Sequence, residues 1–286
     1  MFLSIYLSNV MVSMNTQSFY ATHPVFTAQE FDRFLANNGT ATENNRKRLL
    51  AYYRERGRLV LIRPGLYGVV PFGTEAATYP VDTYLIASRL KADAVIGYHS
   101  ALSFHGFAHS MREERLIVTR HPMGKPFLFR GVSYRTVQPP QALVDAGQEE
   151  IGIEQHERQD ETLRVTSLER TLVDCLDRPR RSGGWEEVWR SSEAIPYLDI
   201  DLVARYALLL KNATTIASVG YFLEAQQERW MVGADALDLL RAHRPQQAHY
   251  LGRMREEDGR LVKNWNLVVP ERILNRTWEE TGESIP

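Results

Sequence analysis

The sequence predicts an α+β fold, and three observations predict it. Two capped helical segments followed by a strand-turn-strand run precede residue 70. Short strand-like runs fill residues 95 to 165, and helical segments dominate after residue 166. With 286 residues, 44% of them hydrophobic and 24% charged, the chain has the composition of a folded protein with a core, which excludes disordered and collagen-like classes. The length suggests about two domains. A single cysteine, Cys175, excludes an internal disulfide and a cysteine-based zinc site and fits a reducing cytoplasm, the expected compartment. Met1 to Met14 is apolar, lacks the basic start of a signal peptide and is too short to span a bilayer, so no membrane association is expected. Methionines at positions 1, 11 and 14 make Met14 the expected true start.

The first helix opens at Thr27, with Glu30 completing a capping box and Phe26 against Phe31 as a hydrophobic staple. Phe31, Phe34 and Leu35 give it an apolar face, and Asn37-Asn38-Gly39 ends it. Thr40 and Glu43 repeat the box ahead of a second helix, expected over residues 41–56 and closed by Gly57. At helical spacing Leu49, Leu50 and Tyr53 share one side; Asn44, Arg48, Ala51 and Glu55 share the other, flanked by Asn45, Lys47 and Tyr52. Arg46 projects toward the buried side. Strand-like runs Arg58 to Ile62 and Leu66 to Val70 meet at Pro64-Gly65, which suits the centre of a type II turn. Helix, turn, basic helix and basic hairpin are the order of a winged helix-turn-helix, expected over residues 14–76.

The Gly73 to Pro80 stretch is the expected boundary with a larger α+β domain over residues 77–286. A short helix capped by Ser100 and stopped by Gly106 follows Val95-Ile96. Leu116 to Thr119, Phe127 to Phe129, Val132 to Val137, Ile151 to His156 and Thr162 to Val165 are expected to form one mostly antiparallel sheet. Thr166 to Glu169 reads as a capping box for a helix through Leu176. The C-terminal half is expected to be helical: Trp185 to Ser192, Ile200 to Leu210, Ala217 to Arg229 and Ala234 to His243.

The formal net charge of -1 conceals an asymmetry: residues 1–80 carry eight Lys/Arg against five Asp/Glu, and the remainder 26 against 30. Between residues 44 and 63, seven basic residues stand against Glu55 alone. A local basic block of this kind suits nucleic acid. The second helix would enter the major groove while the hairpin neutralises phosphates. Arg48 can bond a guanine edge bidentately, Asn44 can read adenine and Ala51 can touch a thymine methyl. Arg56, Arg58 and Arg63 suit phosphates, which position without specifying. The full expected DNA-contact set is Thr42, Asn44, Asn45, Lys47, Arg48, Ala51, Tyr52, Arg56, Arg58 and Arg63.

Catalytic motifs are missing from the sequence. None of the five lysines has an acid two residues before it, as a restriction-type nuclease site needs, and no phosphate-cradling loop or nucleophile elbow occurs. His105 and His109 have helical metal-pair spacing, but Gly106 interrupts the helix. Arg170 and Asp174 read as an i, i+4 ion pair, Glu169 as a capping residue and Cys175 as a buried small hydrophobe. No catalytic residue, metal ligand or cofactor is expected. The alternatives to a DNA-binding regulator without catalysis are a nuclease delivered by the winged helix and a one-component regulator whose large domain senses a small molecule.

Val25-Phe26-Thr27 through Phe34 and Leu50 through Tyr67, with the run Arg54-Glu55-Arg56-Gly57-Arg58-Leu59, resemble the amino-terminal domain of AbiEi-type antitoxins of abortive-infection toxin-antitoxin systems. Asp82 to Leu90, Tyr98 to Gly106 and Ser167 to Cys175 resemble the domain that follows it there, so the likeness runs from about Thr22 to Leu223. The resemblance implies a bacterial transcriptional repressor of its own toxin-antitoxin operon. It would bind repeats in promoter DNA, be monomeric in solution and bind cooperatively on DNA. It would also act as antitoxin against a nucleotidyltransferase-like toxin, without requiring a stable complex.

Overall fold

The computed structural model describes residues 16–39, 42–251 and 259–276. The expected start at Met14, the Thr40 cap and the tail beyond Arg276 lie outside the described residues. The chain forms two compact units. Met1–Ala94 with Phe127–Tyr134 and Gln155–Arg164 makes the first; Val95–Pro126, Arg135–Glu154 and Val165–Pro286 make the second.

In the first unit, helix α1 over 16–22 leads to β1 (Val25–Thr27), α2 (Ala28–Asn37), α3 (Glu43–Glu55), β2 (Leu59–Arg63), β3 (Leu66–Val69) and α4 (Thr83–Arg89). The local chemistry that starts α2 is the one the sequence predicts. The Thr27 hydroxyl accepts from the Glu30 N–H, and the Glu30 carboxylate accepts from the Thr27 N–H at 2.7 Å. Phe26 and Phe31 lie with ring centroids 5.6 Å apart. Helix α3 is capped by Thr42, which accepts from the Asn45 N–H at 3.1 Å.

The three strands form an antiparallel sheet of order β1-β3-β2, with Phe26 opposite Tyr67 and Val60 opposite Gly68. Strand β1, like α1 and α4, is an element the sequence reading did not predict; three residues are too few to show a period of two. Gly65 takes φ +83°, the left-handed value a type II turn requires after Pro64, and its carbonyl accepts from the Ala28 N–H at 2.8 Å. Phe19, Phe26, Phe31, Leu35, Leu50 and Leu59 are buried together beneath the helices, with Leu49 and Tyr53 packed at their edge. The apolar side of α3 is thereby committed inward.

The larger sheet comprises β4 (Val95–Ile96), β5 (Glu114–Val118), β6 (Phe127–Phe129), β7 (Val132–Val137), β8 (Ile153–Arg158) and β9 (Glu161–Thr166), in the order β6-β7-β5-β4-β9-β8. Pairing is mixed: β4 runs antiparallel to β5 and parallel to β9, where Ile96 faces Val165. Helices α5 (His99–Phe104) and α6 (Gln141–Ala146) are inserted between strands. Ser100 does not cap α5, as the sequence suggested; the preceding residue is Tyr98, and the Ser100 hydroxyl accepts from the Leu116 N–H at 2.8 Å. The cap of the next helix is likewise Ser167 rather than Thr166.

Helices α7 (Leu168–Asp177), α8 (Trp185–Glu193), α9 (Ile200–Leu209), α10 (Ala213–Ala225) and α11 (Ala234–Ala242) build the main core of the second unit around Trp189, Tyr206, Phe222 and Trp265. A 3-10 turn, Pro179–Ser182, links α7 to α8. The C-terminal half is not purely helical. Strands β10 (His249–Tyr250), β11 (Gly259–Val262) and β12 (Leu267–Pro270) form a second small sheet of order β10-β12-β11, and α12 (Glu271–Leu274) follows. Its strands are two to four residues long, so periodicity cannot reveal them. A Cβ on Gly220 in α10 would lie 2.1 Å from the Trp265 ring. Gly220→Ala is therefore expected to overpack this junction and destabilise by about 1–3 kcal/mol, measurable as a lowered denaturant midpoint.

Candidate nucleic-acid interface

Helix α3 presents its polar side to solvent. Asn44, Lys47, Arg48, Ala51, Tyr52, Arg54 and Arg56 are exposed, as is the cap Thr42; Asn45 is partly covered. Because Leu50 is buried with Leu49 and Tyr53 beside it, the residues about half a turn away must face out. The exposed side chains are also partly ordered by one another. Arg48 donates to the Asn45 side-chain oxygen at 3.3 Å, Lys47 pairs with Glu43 at 2.7 Å, and the Arg56 guanidinium sits 4.4 Å from the centre of the Tyr52 ring. The carboxylate in the first turn is thus neutralised by Lys47 and favours the positive end of the helix dipole. Arg46 points the other way and pairs with Asp32 of α2, bracing the two helices.

The hairpin arginines are less free. Arg58 lies 3.3 Å from the centre of the Phe72 ring, and its Nη1 is buried without a hydrogen-bond partner. Burial pulls the Arg58 guanidinium below its ordinary value, while the neighbouring Tyr20 and Tyr53 oppose that shift. Arg63 lies 5.6 Å from the Phe127 ring centre. Both are half-buried, so packing as well as charge accounts for them.

Beside Ala51 the surface sinks into a groove of about 660 Å³ lined also by Arg54, Glu55, Leu59, Leu61 and Arg130. Arg130, at φ +48° in the β6-β7 turn, donates to the carbonyls of Ala76 and Tyr79. Arg54 and Arg130 were not in the expected contact set. Arg54 stood within the basic block and could have been included; Arg130 comes from a hairpin 79 positions from Ala51, which no local pattern connects.

Several of the groups weighed for chemistry in the second unit have partners within the protein. His99 donates or accepts at 3.1 Å from Glu187, buried, and His105 meets the Thr166 carbonyl at 2.9 Å. Burial holds the His99 imidazole below its ordinary value, against the pull of Glu187. The folded chain therefore binds a proton at His99 less readily than the unfolded chain does, so this group makes stability fall as pH drops below about 6.5, the ordinary value of the unfolded imidazole. The expected result is a larger loss of thermal midpoint between pH 7.5 and 5.5 for the parent than for His99→Gln. Cys175 is fully buried beside Ser182, which donates to its Sγ at 2.9 Å, and burial pushes the thiol up. Arg170 and Asp174 form the expected pair, at 3.6 Å, but buried to 1% and 2% side-chain exposure. Arg170 donates to the carbonyls of Glu149 and Ile151, and the Tyr206 hydroxyl donates to Asp174 at 2.8 Å. Glu169 accepts from the Asp199 N–H at 3.1 Å rather than capping its own helix.

Among the described residues, no helix is long and apolar enough to cross a membrane. No protein-family model and no curated protein matches the chain. Among solved structures, the chain is similar to the Rv2827c protein of Mycobacterium tuberculosis, with a TM-score of 0.57 and 17% identity over 94% of both chains. At that identity the likeness is one of fold.

Proposed function

We propose that this protein binds double-stranded DNA through α3 and the β2-β3 hairpin and represses transcription, its own operon being the expected target. The observation that carries the proposal is the outward face of α3. An apolar side locked into the core leaves Asn44, Arg48 and Ala51 exposed in one line, with Lys47, Arg54 and Arg56 beside them. The element order α1, β1, α2, α3, β2, β3, with β3 central in its sheet, supports reading this unit as a winged helix-turn-helix. Arg48 is the base-reading residue, and Asn45 holds its guanidinium. Lys47, Arg54 and Arg56 are among the phosphate contacts, with Arg58 and Arg63 of the hairpin beside them. Role as an antitoxin against a nucleotidyltransferase-like toxin rests on the family resemblance of the sequence and is tested by co-expression with the product of a neighbouring gene that carries that signature.

Arg48→Ala is expected to relax base preference at one position by about 1–3 kcal/mol while leaving non-specific affinity nearly intact. Competition between promoter and scrambled duplexes measures it, and an unchanged preference would show that another residue reads the bases.

A further inference from the structure

A cavity of about 710 Å³ lies in the second unit, and its walls hold four arginines and a single carboxylate: Arg112, Arg135, Arg180, Arg181 and Glu114. The carboxylate is already matched, since Arg135 pairs with Glu114 at 3.1 Å. That leaves three guanidinium groups facing a common space. Arg181 is held in place: it donates to the Tyr98 hydroxyl at 3.3 Å and lies 5.3 Å from the centre of that ring. Arg112 is given room by Gly183, at φ +97°, where a Cβ would come within 2.7 Å of its Nη1. Neither Arg112 nor Arg180 makes a side-chain hydrogen bond or ion pair with the described residues. The remaining wall is mixed: Thr136 and Gln138 add polar groups, and an apolar part is formed by Leu116, Pro122, Met123, Pro126 and Val137, of which Leu116 and Val137 are buried.

We propose that this cavity binds a small phosphorylated ligand of nucleotide size. Three unmatched guanidinium groups carry more positive charge than one carboxylate would balance, and the planar donor fork of arginine matches phosphate oxygens bidentately. The volume lies within the range of small-molecule sites, which typically hold about 300–1,000 Å³, and the apolar part of the wall offers a surface for a base or other flat body. A duplex needs an open track of cations rather than a recess, so the ligand is a small molecule and not DNA. The site is independent of the α3 interface and stands or falls separately from the DNA-binding proposal.

The test uses the full chain with three probes, ATP, inorganic pyrophosphate and adenosine, each against sodium chloride at matched ionic strength. ATP or pyrophosphate at about a hundredfold excess over its Kd is expected to raise the thermal midpoint by roughly 5 °C or more, and adenosine, lacking phosphate, is not. An equal response to both phosphorylated probes means that the phosphates alone are recognised; a larger response to ATP means that the apolar part of the wall contributes. The Arg112→Gln/Arg180→Gln double variant is expected to bind at least tenfold more weakly by calorimetry, while its unliganded midpoint stays within a few degrees of the parent. No response of the parent beyond the chloride control, an equal response to adenosine, or displacement of the bound probe by duplex DNA alone would each overturn the proposal.

Discussion

Replacing Arg170 with alanine is expected to destabilise the second unit by about 3–5 kcal/mol, the range for removing one partner of a buried ion pair. Arg170 and Asp174 are almost fully enclosed on α7. Burial pushes the Asp174 carboxyl up, and Arg170 is the strongest influence opposing it, followed by the Tyr206 hydroxyl. Without the guanidinium, Asp174 must take up a proton or remain charged in an apolar surround, and the carbonyls of Glu149 and Ile151 lose their donor. A fall of roughly 10 °C in the thermal midpoint is the expected reading. Arg170→Met combined with Asp174→Leu should recover most of it, because a packed apolar pair of similar volume removes both desolvation penalties. A single variant as stable as the parent would mean that the pair is dispensable; a large loss rescued by the double change would show that the cost comes from leaving one buried charge without its partner.

The second large effect concerns DNA. Changing Lys47, Arg54 and Arg56 together to glutamine is expected to reduce the slope of log K against log salt by about 2.7, from about 0.9 per phosphate contact. At 0.1 M salt this corresponds to a loss of affinity of several hundredfold, shared by all sequences. These side chains are exposed, Lys47 and Arg54 on α3 and Arg56 at its C-terminal cap, so the fold should tolerate the change. Arg58→Ala is different in kind, since its guanidinium covers the Phe72 ring and is partly buried; part of its effect should appear as lost stability.

Local signals were the legible ones. The Thr27-Glu30 box, the Pro64-Gly65 turn and the inward face of α3 follow from spacing alone, because each is decided by neighbours within one or two turns. Strand β1 and the β10-β12-β11 sheet were hidden by shortness, and their stability comes from partners distant in sequence. The Ser100 hydroxyl illustrates the same limit: a sequence reading assigns it to the nearest helix start, whereas it accepts from the backbone of Leu116 in β5, sixteen residues away. The outward set on α3 could be read from its periodicity. The groove contribution of Arg130 and the charged cavity around Arg112 and Arg181 could not, since each gathers residues from separate segments. The sequence could place Arg170 beside Asp174 but not reveal that both are buried, because burial depends on what α9 brings over them through Tyr206.

The central claim is that the exposed face of α3 grips a duplex. Its most direct test is fluorescence anisotropy of a labelled duplex from the protein's own promoter, titrated with the intact chain from 50 to 200 mM salt. With about six phosphate contacts the slope should be near -5 and the affinity should fall about a thousandfold across that range. A flat salt dependence, or no binding at 50 mM, would contradict the account.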